Sequence, residues 1–132
     1  MAKKIKLIIT TPTGKFYEGE VEILTLKLAE GYMGVMANMS PVVSTVVTGT
    51  FDLKEGAETI KRGVLFDGLF STDGELATVI TDKAEWLKDW KTHEAEEEIQ
   101  KLEKIISNEK EELIIEMRRK EQDYWKIVKE NV

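Results

Sequence analysis

The chain has 132 residues, 42% of them apolar, with 19 basic and 25 acidic side chains, a net charge of −6 and no cysteine. Its length fits one compact domain with an appendage, and its charge argues against a protein whose main task is to grip a nucleic-acid backbone. The absence of cysteine excludes disulfides, thiolate nucleophiles and cysteine-ligated zinc.

The N-terminal half predicts a series of short strands. Ile5, Leu7 and Ile9 alternate with Lys4, Lys6 and Ile8, which is the period of a strand that sets one face into a core. Pro12 and Gly14 then turn the chain. The apolar run at this terminus is too short for the core of a signal peptide, so we expect no export.

The segment from 21 to 28 is apolar on both faces. Val21, Ile23 and Thr25 share one face, while the alternating leucines share the other, so the pattern predicts a buried strand without fixing its inward face. Six further strands are predicted over residues 42–47, 50–53, 58–62, 63–66, 69–71 and 76–81. Their regular spacing between turns indicates an all-β sandwich or barrel.

Between these strands, residues 30–43 read EGYMGVMANMSPVV and predict a flexible apolar loop. It is rich in turn residues and contains Met33, Met36 and Met39, but no group that could perform chemistry. Two interpretations fit the methionines: a deformable contact for a partner, or filling of gaps in the core.

The C-terminal part predicts helices, because residues 88–132 contain no glycine or proline. Ala95, Ile99, Leu102 and Ile106 recur every three or four residues, which predicts an apolar stripe on a helix beginning near Trp90.

Ser107-Asn108 interrupts the helical pattern, which then resumes for about 20 residues. The stripe of this second helix is broken at Glu121, and it comprises Leu113, Ile114, Met117, Tyr124, Trp125 and Val128. Two helices joined by a short loop form an antiparallel hairpin.

The fold class is therefore α+β segregated, with an antiparallel β-sandwich over residues 1–85 and a two-helix hairpin over 86–132. We expect Trp86 and Trp90 to pack against the sandwich at the junction.

Little in the sequence points to catalysis. His93 is the only histidine, and Glu96, Glu97 and Glu98 point in different directions from a helix, so neither predicts a metal site. The glycines at 31 and 34 lack the spacing and lysine of a phosphate-binding loop. We expect no catalytic residue, metal or cofactor.

Arg118, Arg119 and Lys120 form the most distinctive charge cluster. Residues 113–130 contain five basic and four acidic side chains, whereas residues 86–112 contain nine acidic and five basic. The cluster could pair with the acidic first helix or with an acidic surface of a partner.

Four short motifs follow one another along the chain. They are Tyr17-Glu18-Gly19-Glu20-Val21, then Gly31-Tyr32-Met33-Gly34-Val35 with Pro41, then Asp67-Gly68-Leu69-Phe70, and finally Thr78-Val79-Ile80-Thr81-Asp82-Lys83-Ala84. In this order, and with a sandwich followed by a hairpin, the chain resembles the epsilon subunit of F-type ATP synthases, called delta in mitochondria.

Departures from the family pattern indicate a divergent member. Ala37-Asn38-Met39 replaces the proline and histidine of the family signature, and Asp67 replaces a glycine. Some bacterial relatives bind ATP through a D-x-x-R-A motif. Only Ala95 of that motif is retained, and Glu94, at the arginine position, would repel phosphate, so we expect no nucleotide binding.

The resemblance implies a sandwich of about ten strands at the foot of the rotor shaft, where it contacts the shaft (gamma) subunit and the membrane ring (c) subunits. These contacts would fall on Gly31, Tyr32, Met33, Gly34, Met36, Asn38 and Met39. Such a subunit is not catalytic: it couples ring rotation to the shaft as a peripheral subunit at the cytoplasmic face of the cell membrane. We expect no insertion into the bilayer, because no window has the roughly 20 apolar residues that a membrane helix requires.

The resemblance also implies a regulatory role for the hairpin. The hairpin of bacterial members can extend along the shaft towards the catalytic head and inhibit ATP hydrolysis, and here Arg118, Arg119 and Lys120 would pair with acidic groups on the head. Whether the ion is a proton or sodium stays open.

Two other function classes compete with this one. The first is a free-standing β-domain adaptor whose acidic hairpin binds an unrelated protein, and the second is a small enzyme built around His93.

Overall fold

Ten β-strands and two α-helices follow one another in the computed structural model, which describes residues 3–132. The strands are β1 (Ile5–Thr11), β2 (Gly14–Val21), β3 (Ile23–Leu28), β4 (Gly31–Val35), β5 (Val42–Val46), β6 (Gly49–Glu55), β7 (Glu58–Leu65), β8 (Gly68–Thr72), β9 (Leu76–Thr81) and β10 (Ala84–Trp86). A short 3₁₀ turn, Leu87–Asp89, precedes α1 (Thr92–Asn108) and α2 (Glu112–Asn131). The predicted fold class, a sandwich followed by a helical hairpin, is confirmed.

The strands form one continuous hydrogen-bonded sheet. Its order is β10-β7-β6-β3-β5-β8-β9-β1-β2, with β4 paired to β3 outside this path. All pairs are antiparallel except β1 with β9, which run parallel. Four pairs join consecutive strands as hairpins, namely β1–β2, β3–β4, β6–β7 and β8–β9, whereas the other five join strands that are not consecutive in the chain.

The alternating side chains of the strands build the core of this unit. Ile5, Leu7 and Ile9 are fully buried, as the period-two pattern predicted. In β3 the leucines are the inward face and Ile23 and Thr25 are half-buried, which settles the orientation that the sequence left open. The core also includes Phe51 of β6 and Phe70 of β8, and burial of these apolar side chains stabilises the sheet.

Three predictions for this half of the chain were wrong, two in the bounds of strands and one in the type of element. The chain pairs with β1 from Gly14 onward, so β2 is a separate strand ahead of the segment that was predicted to begin at Val21. Residues 58–62 and 63–66 form one continuous strand, β7. Most importantly, Gly31–Val35 is not a loop but β4, paired with β3 over its whole length. Two of its five residues are glycines, so the strand lacks a clear alternation of apolar and polar side chains.

The second compact unit begins at Leu87 and contains the helical hairpin. The predicted stripe of α1, from Ala95 to Ile106, is buried. In α2, Tyr124 and Trp125 are buried together with Val128, but Leu113 and Met117 are exposed, so the prediction of a core position was wrong for both. Beside them, Ile114 and Ile115 are half-buried.

A polar layer lies between the two helices, where Gln122 of α2 is buried next to the predicted break at Glu121. Gln122 Nε2 donates to the carbonyl oxygen of Ile99 at 3.3 Å and to Glu103 Oε2 at 2.8 Å. Glu121 is half-buried and accepts a 2.6 Å hydrogen bond from Arg118 Nη1. Towards the loop, beyond Gln122, Ile106 of α1 is still buried.

The two tryptophans at the junction have different partners. Trp86 lies within the sandwich, where its ring stacks on Phe16 at 4.7 Å and contacts the rings of Phe51 and Tyr17. Trp90 packs on Trp125 of α2, with ring centroids 4.5 Å apart.

Candidate functional site

The predicted partner-binding segment begins with a tight turn into β4. Gly31 has a φ of +120°, which a residue with a side chain rarely adopts, so glycine is required there. The ring of Tyr32 is 58% exposed, and its hydroxyl lies 3.0 Å from Thr50 Oγ1. Tyr32 thus offers an aromatic face to solvent while its polar end is held by the sheet.

The three methionines of this segment do not form one exposed cluster. Met33 and Met39 are half-buried and pack against the core, as the gap-filling interpretation expected, whereas about half of the Met36 side chain is exposed. Tyr32 and Met36 are therefore the two apolar side chains of the segment that a partner can contact directly.

The loop after β4 is hydrogen-bonded to the turn between β8 and β9. Asn38 has a φ of +66°, and its backbone N–H donates to the carbonyl oxygen of Gly74 at 2.8 Å. Gly74 itself has a φ of +93°, and a Cβ there would lie 2.7 Å from the carbonyl oxygen of Met39. The backbones of the two loops approach closely because residue 74 is glycine.

Asp73 organises the turn that receives this loop. Its Oδ1 accepts the backbone N–H groups of Leu76 and Glu75, each at 2.9 Å. These hydrogen bonds, that of Leu76 first, lower the pKa of Asp73 below its ordinary value. The carboxylate therefore favours the turn in its charged form.

Three side chains to which no binding role was assigned from the sequence form a second surface, here called the outer strip: Val43, Leu69 and Ile80. They lie on β5, β8 and β9 and are 79%, 57% and 56% exposed. Leu69 and Ile80 are direct cross-strand partners, and Val43 lies opposite Ser71, two residues along β8. Three neighbouring strands thus present apolar side chains away from the core.

One sequence signal could have revealed the outer strip: strands β8 and β9 carry apolar residues on both of their faces. Leu69 adjoins the buried Phe70, and Ile80 adjoins the buried Val79. Alternation assigns such neighbours to opposite faces but does not reveal which face stays uncovered.

A shallow groove of about 260 Å³ connects the outer strip with β4. It is lined by Leu28, Glu30, Gly31, Tyr32, Met33, Val42, Val43 and Ser44. Val43 belongs to both surfaces, so the outer strip adjoins the β4 turn through a groove of mixed polar and apolar lining.

The basic cluster of α2 is divided between two environments. Arg118 is half-buried and pairs with Glu121, whereas Arg119 and Lys120 are exposed. Pairing between the helices occurs elsewhere, between Lys129 and Glu96. The hydrogen bonds from Lys129 and Gln100 lower the pKa of Glu96.

The described residues offer little for chemistry. Within residues 3–132 no group of three histidine, aspartate or glutamate side chains could hold a metal ion, and neither helix there is long and apolar enough to cross a membrane. His93 is exposed in the first turn of α1. Glu94 Oε1 accepts the backbone N–H of Lys91 at 3.0 Å, so this glutamate caps the helix.

Comparisons with known proteins give a consistent result for this chain. A family model described as the beta-sandwich domain of the ATP synthase Delta/Epsilon chain matches residues 4–87. The ATP synthase epsilon chain of Alkaliphilus oremlandii is 31% identical over 107 residues, which cover 81% of this chain and 79% of the relative. The sodium ion specific ATP synthase epsilon chain of Acetobacterium woodii is 28% identical over 110 residues, 83% of each chain.

Solved structures share the fold. A chain in the cryo-EM structure of the OSCP/F1/c-ring assembly of the Euglena gracilis mitochondrial ATP synthase aligns with a TM-score of 0.74 at 16% identity, covering 97% of this chain and 81% of that one. A chain in the central stalk/c-ring structure of the Tetrahymena thermophila mitochondrial ATP synthase aligns with a TM-score of 0.53 at 12% identity, covering 66% and 69%.

Proposed function

Since the chain belongs to the ATP synthase delta/epsilon chain family, we propose that it is a non-catalytic central-stalk subunit that couples rotation of the membrane ring to the shaft. Its partners are the shaft (gamma) subunit and the ring (c) subunits. The observation that carries this proposal is the exposed apolar outer strip, which adjoins the β4 turn at Val43.

A contact that transmits torque must be broad and rigid. The outer strip suits this task because its three side chains project from neighbouring hydrogen-bonded strands, whose backbones hold one another in place. Exposed apolar patches mark interaction sites in soluble domains. Burying Val43, Leu69 and Ile80 would contribute about 1.5 to 3 kcal/mol each before the costs of association. We assign the outer strip to the shaft subunit.

The β4 turn and its loop supply the second contact, which we assign to the ring. Tyr32 and Met36 are exposed, and methionine adapts its shape to an irregular surface. Gly31 and Gly34 are also exposed and leave room for a partner backbone to approach. Met33, Asn38 and Met39 support this contact from beneath, two through the core and one through the bond to Gly74.

The hairpin is the regulatory arm in this proposal. When it extends along the shaft, Arg119 and Lys120 can pair with acidic groups of the catalytic head without first breaking an ion pair, whereas Arg118 must exchange Glu121 for a new partner. The arm then restrains ATP hydrolysis. As part of this complex the chain works peripherally, at the cytoplasmic face of the cell membrane.

The test is reconstitution of the ATP synthase with variants of this subunit. Leu69→Glu/Ile80→Glu places two charges on the outer strip, and we expect the variant to fold but to lose co-purification with the shaft subunit. Ile60→Glu, an exposed isoleucine on β7, is the matched control and should bind as the wild type does. Undiminished binding of the double variant would refute the assignment of the strip, and a wild-type chain that never joins the complex would favour the adaptor function.

The arm is tested separately. Removing residues 88–132 should raise ATP hydrolysis by the complex, and Arg119→Ala/Lys120→Ala should do so in part. Unchanged hydrolysis in the truncated complex would exclude the regulatory role and leave the coupling role intact.

A further inference from the structure

The half of the hairpin next to its loop carries an apolar patch. Leu113 and Met117 of α2 are 64% and 54% exposed, and Ile105 of α1 is 46% exposed. Gln122 contacts Ile99, so six residues closer to the loop Ile105 lies at the height of residues near 116. The three side chains therefore belong to one end of the hairpin, here called the hairpin tip patch.

Charges around this patch are segregated along α2. Exposed acidic side chains precede and flank its apolar pair at Glu112 and Glu116, and exposed cations follow it at Arg119 and Lys120. Residues three or four apart share a side of a helix, so these four side chains line one side of the Leu113–Met117 pair. Arg118 is paired with Glu121 on the same helix and does not belong to this set.

We propose that the hairpin tip patch binds a second copy of the same chain, with the two α2 helices antiparallel. In that arrangement the acidic end of each segment lies opposite the basic end of the other, while Leu113 and Met117 meet in the middle. Such a contact is self-complementary and has the two-fold symmetry of most homodimers. A parallel arrangement would place like charges opposite each other.

The size of the patch determines the strength of the contact. Three apolar side chains per copy provide less than the roughly 800 Å² per partner of a standard interface. The dimer is accordingly weak, with a Kd of roughly 0.1 to 1 mM, and it forms between free chains at high concentration. Contacts of α2 with other proteins would compete with it.

Charge exchange tests the proposal on the full chain. Arg119→Glu/Lys120→Glu makes all four of these exposed side chains acidic, and Glu112→Lys/Glu116→Lys makes all four basic. Sedimentation equilibrium from about 10 μM to 1 mM should show reversible dimers of the wild type, at least tenfold weaker association of each variant alone, and association restored in their equimolar mixture. Far-UV circular dichroism checks that every variant is folded.

A matched control separates this contact from a general effect of net charge. Lys88→Glu/Lys126→Glu changes the net charge by the same amount at exposed lysines outside the segment, and it should dimerise as the wild type does. A wild type that stays monomeric at 1 mM overturns the proposal and assigns the patch to another occupant, such as the catalytic head. Dimers that survive in the acidic variant, or a mixture that fails to associate, overturn it as well.

Discussion

The backbone N–H of Asn38 donates a 2.8 Å hydrogen bond to the carbonyl oxygen of Gly74 and so fastens the loop after β4 to the β8–β9 turn. Both residues have positive φ angles. The loop that carries the exposed Met36 is thus supported by a neighbouring turn, which favours one conformation of a contact made there. Preorganisation of this kind lowers the entropy lost on binding.

Gly74→Ala should disrupt this support. The new Cβ would lie 2.7 Å from the carbonyl oxygen of Met39, at a φ of +93° that side chains rarely adopt. We expect a loss of about 1 to 3 kcal/mol in the free energy of unfolding, measured by urea denaturation.

Gly56→Ala is the control for Gly74→Ala. Gly56 has a φ of +60°, but a Cβ there meets nothing within 4 Å, so this variant carries backbone strain without a clash. Equal losses in the two variants would show that the close approach to Met39 costs nothing.

The charge of Asp73 should stabilise the same turn in a pH-dependent way. Its pKa is lowered in the folded chain, so its contribution is fully present above the ordinary aspartate pKa and is lost as the pH falls through the folded value. Asp73→Asn should therefore be less stable than the wild type at pH 7, with the difference vanishing towards pH 2. Urea midpoints at several pH values measure this. A difference independent of pH would mean that the carboxylate charge is not involved.

Local patterns predicted most of the fold. The inward face of β1, with Leu7 at its centre, and the buried stripe of α1 were correct because each depends on spacing along one element. The order of the strands, and the parallel pairing of β1 with β9, depend on contacts far apart in the chain and could not be predicted from spacing alone.

Whether an apolar face of a strand or helix is covered depends on tertiary structure, and the sequence did not predict it correctly. Leu69 and Ile80 have the same character as the core residues next to them, and Leu113 and Met117 continue the apolar period of α2, yet all four are exposed. Conversely, Gln122 is polar and buried because Glu103 and the backbone accept its hydrogen bonds. The candidate site was therefore only partly predicted: the β4 segment was assigned a partner contact, whereas Leu69 and Ile80 lie in two of the family motifs but were given no binding role.

Trp86→Ala should destabilise the sandwich. Its ring contacts Phe16, Tyr17 and Phe51, and the ammonium group of Lys61 lies 5.0 Å from its centroid. Because the side chain is half-buried, we expect a loss of about 3 kcal/mol, at the lower end for large aromatic truncations. Far-UV circular dichroism in urea is the suitable measurement, since it does not depend on tryptophan emission.

Two variants show which contacts of Trp86 matter. Trp86→Phe keeps an aromatic ring in the cluster and should retain most of the stability. Lys61→Met removes the cation above the ring and should cost about 0.5 to 1 kcal/mol. A loss for Lys61→Met as large as that for Trp86→Ala would mean that the cation, rather than ring packing, holds the cluster together.

Gln122→Leu should tighten the hairpin. Gln122 is buried between the helices, and its removal leaves no buried partner unpaired, because the Glu103 side chain is exposed to water and the Ile99 carbonyl lies within α1. Leucine would extend the apolar seam, so we expect a gain of about 1 kcal/mol in the free energy of unfolding and slower hydrogen exchange of amides in both helices.

Gln100→Leu, at an exposed glutamine that bonds Glu96 on the same helix, is the control and should change stability by less than about 0.5 kcal/mol. A loss of protection in Gln122→Leu would mean that the polar layer stabilises the hairpin. Within the reconstituted complex, the tightened hairpin should extend less readily, so a hairpin that inhibits only when extended should restrain ATP hydrolysis less in this variant than in the wild type.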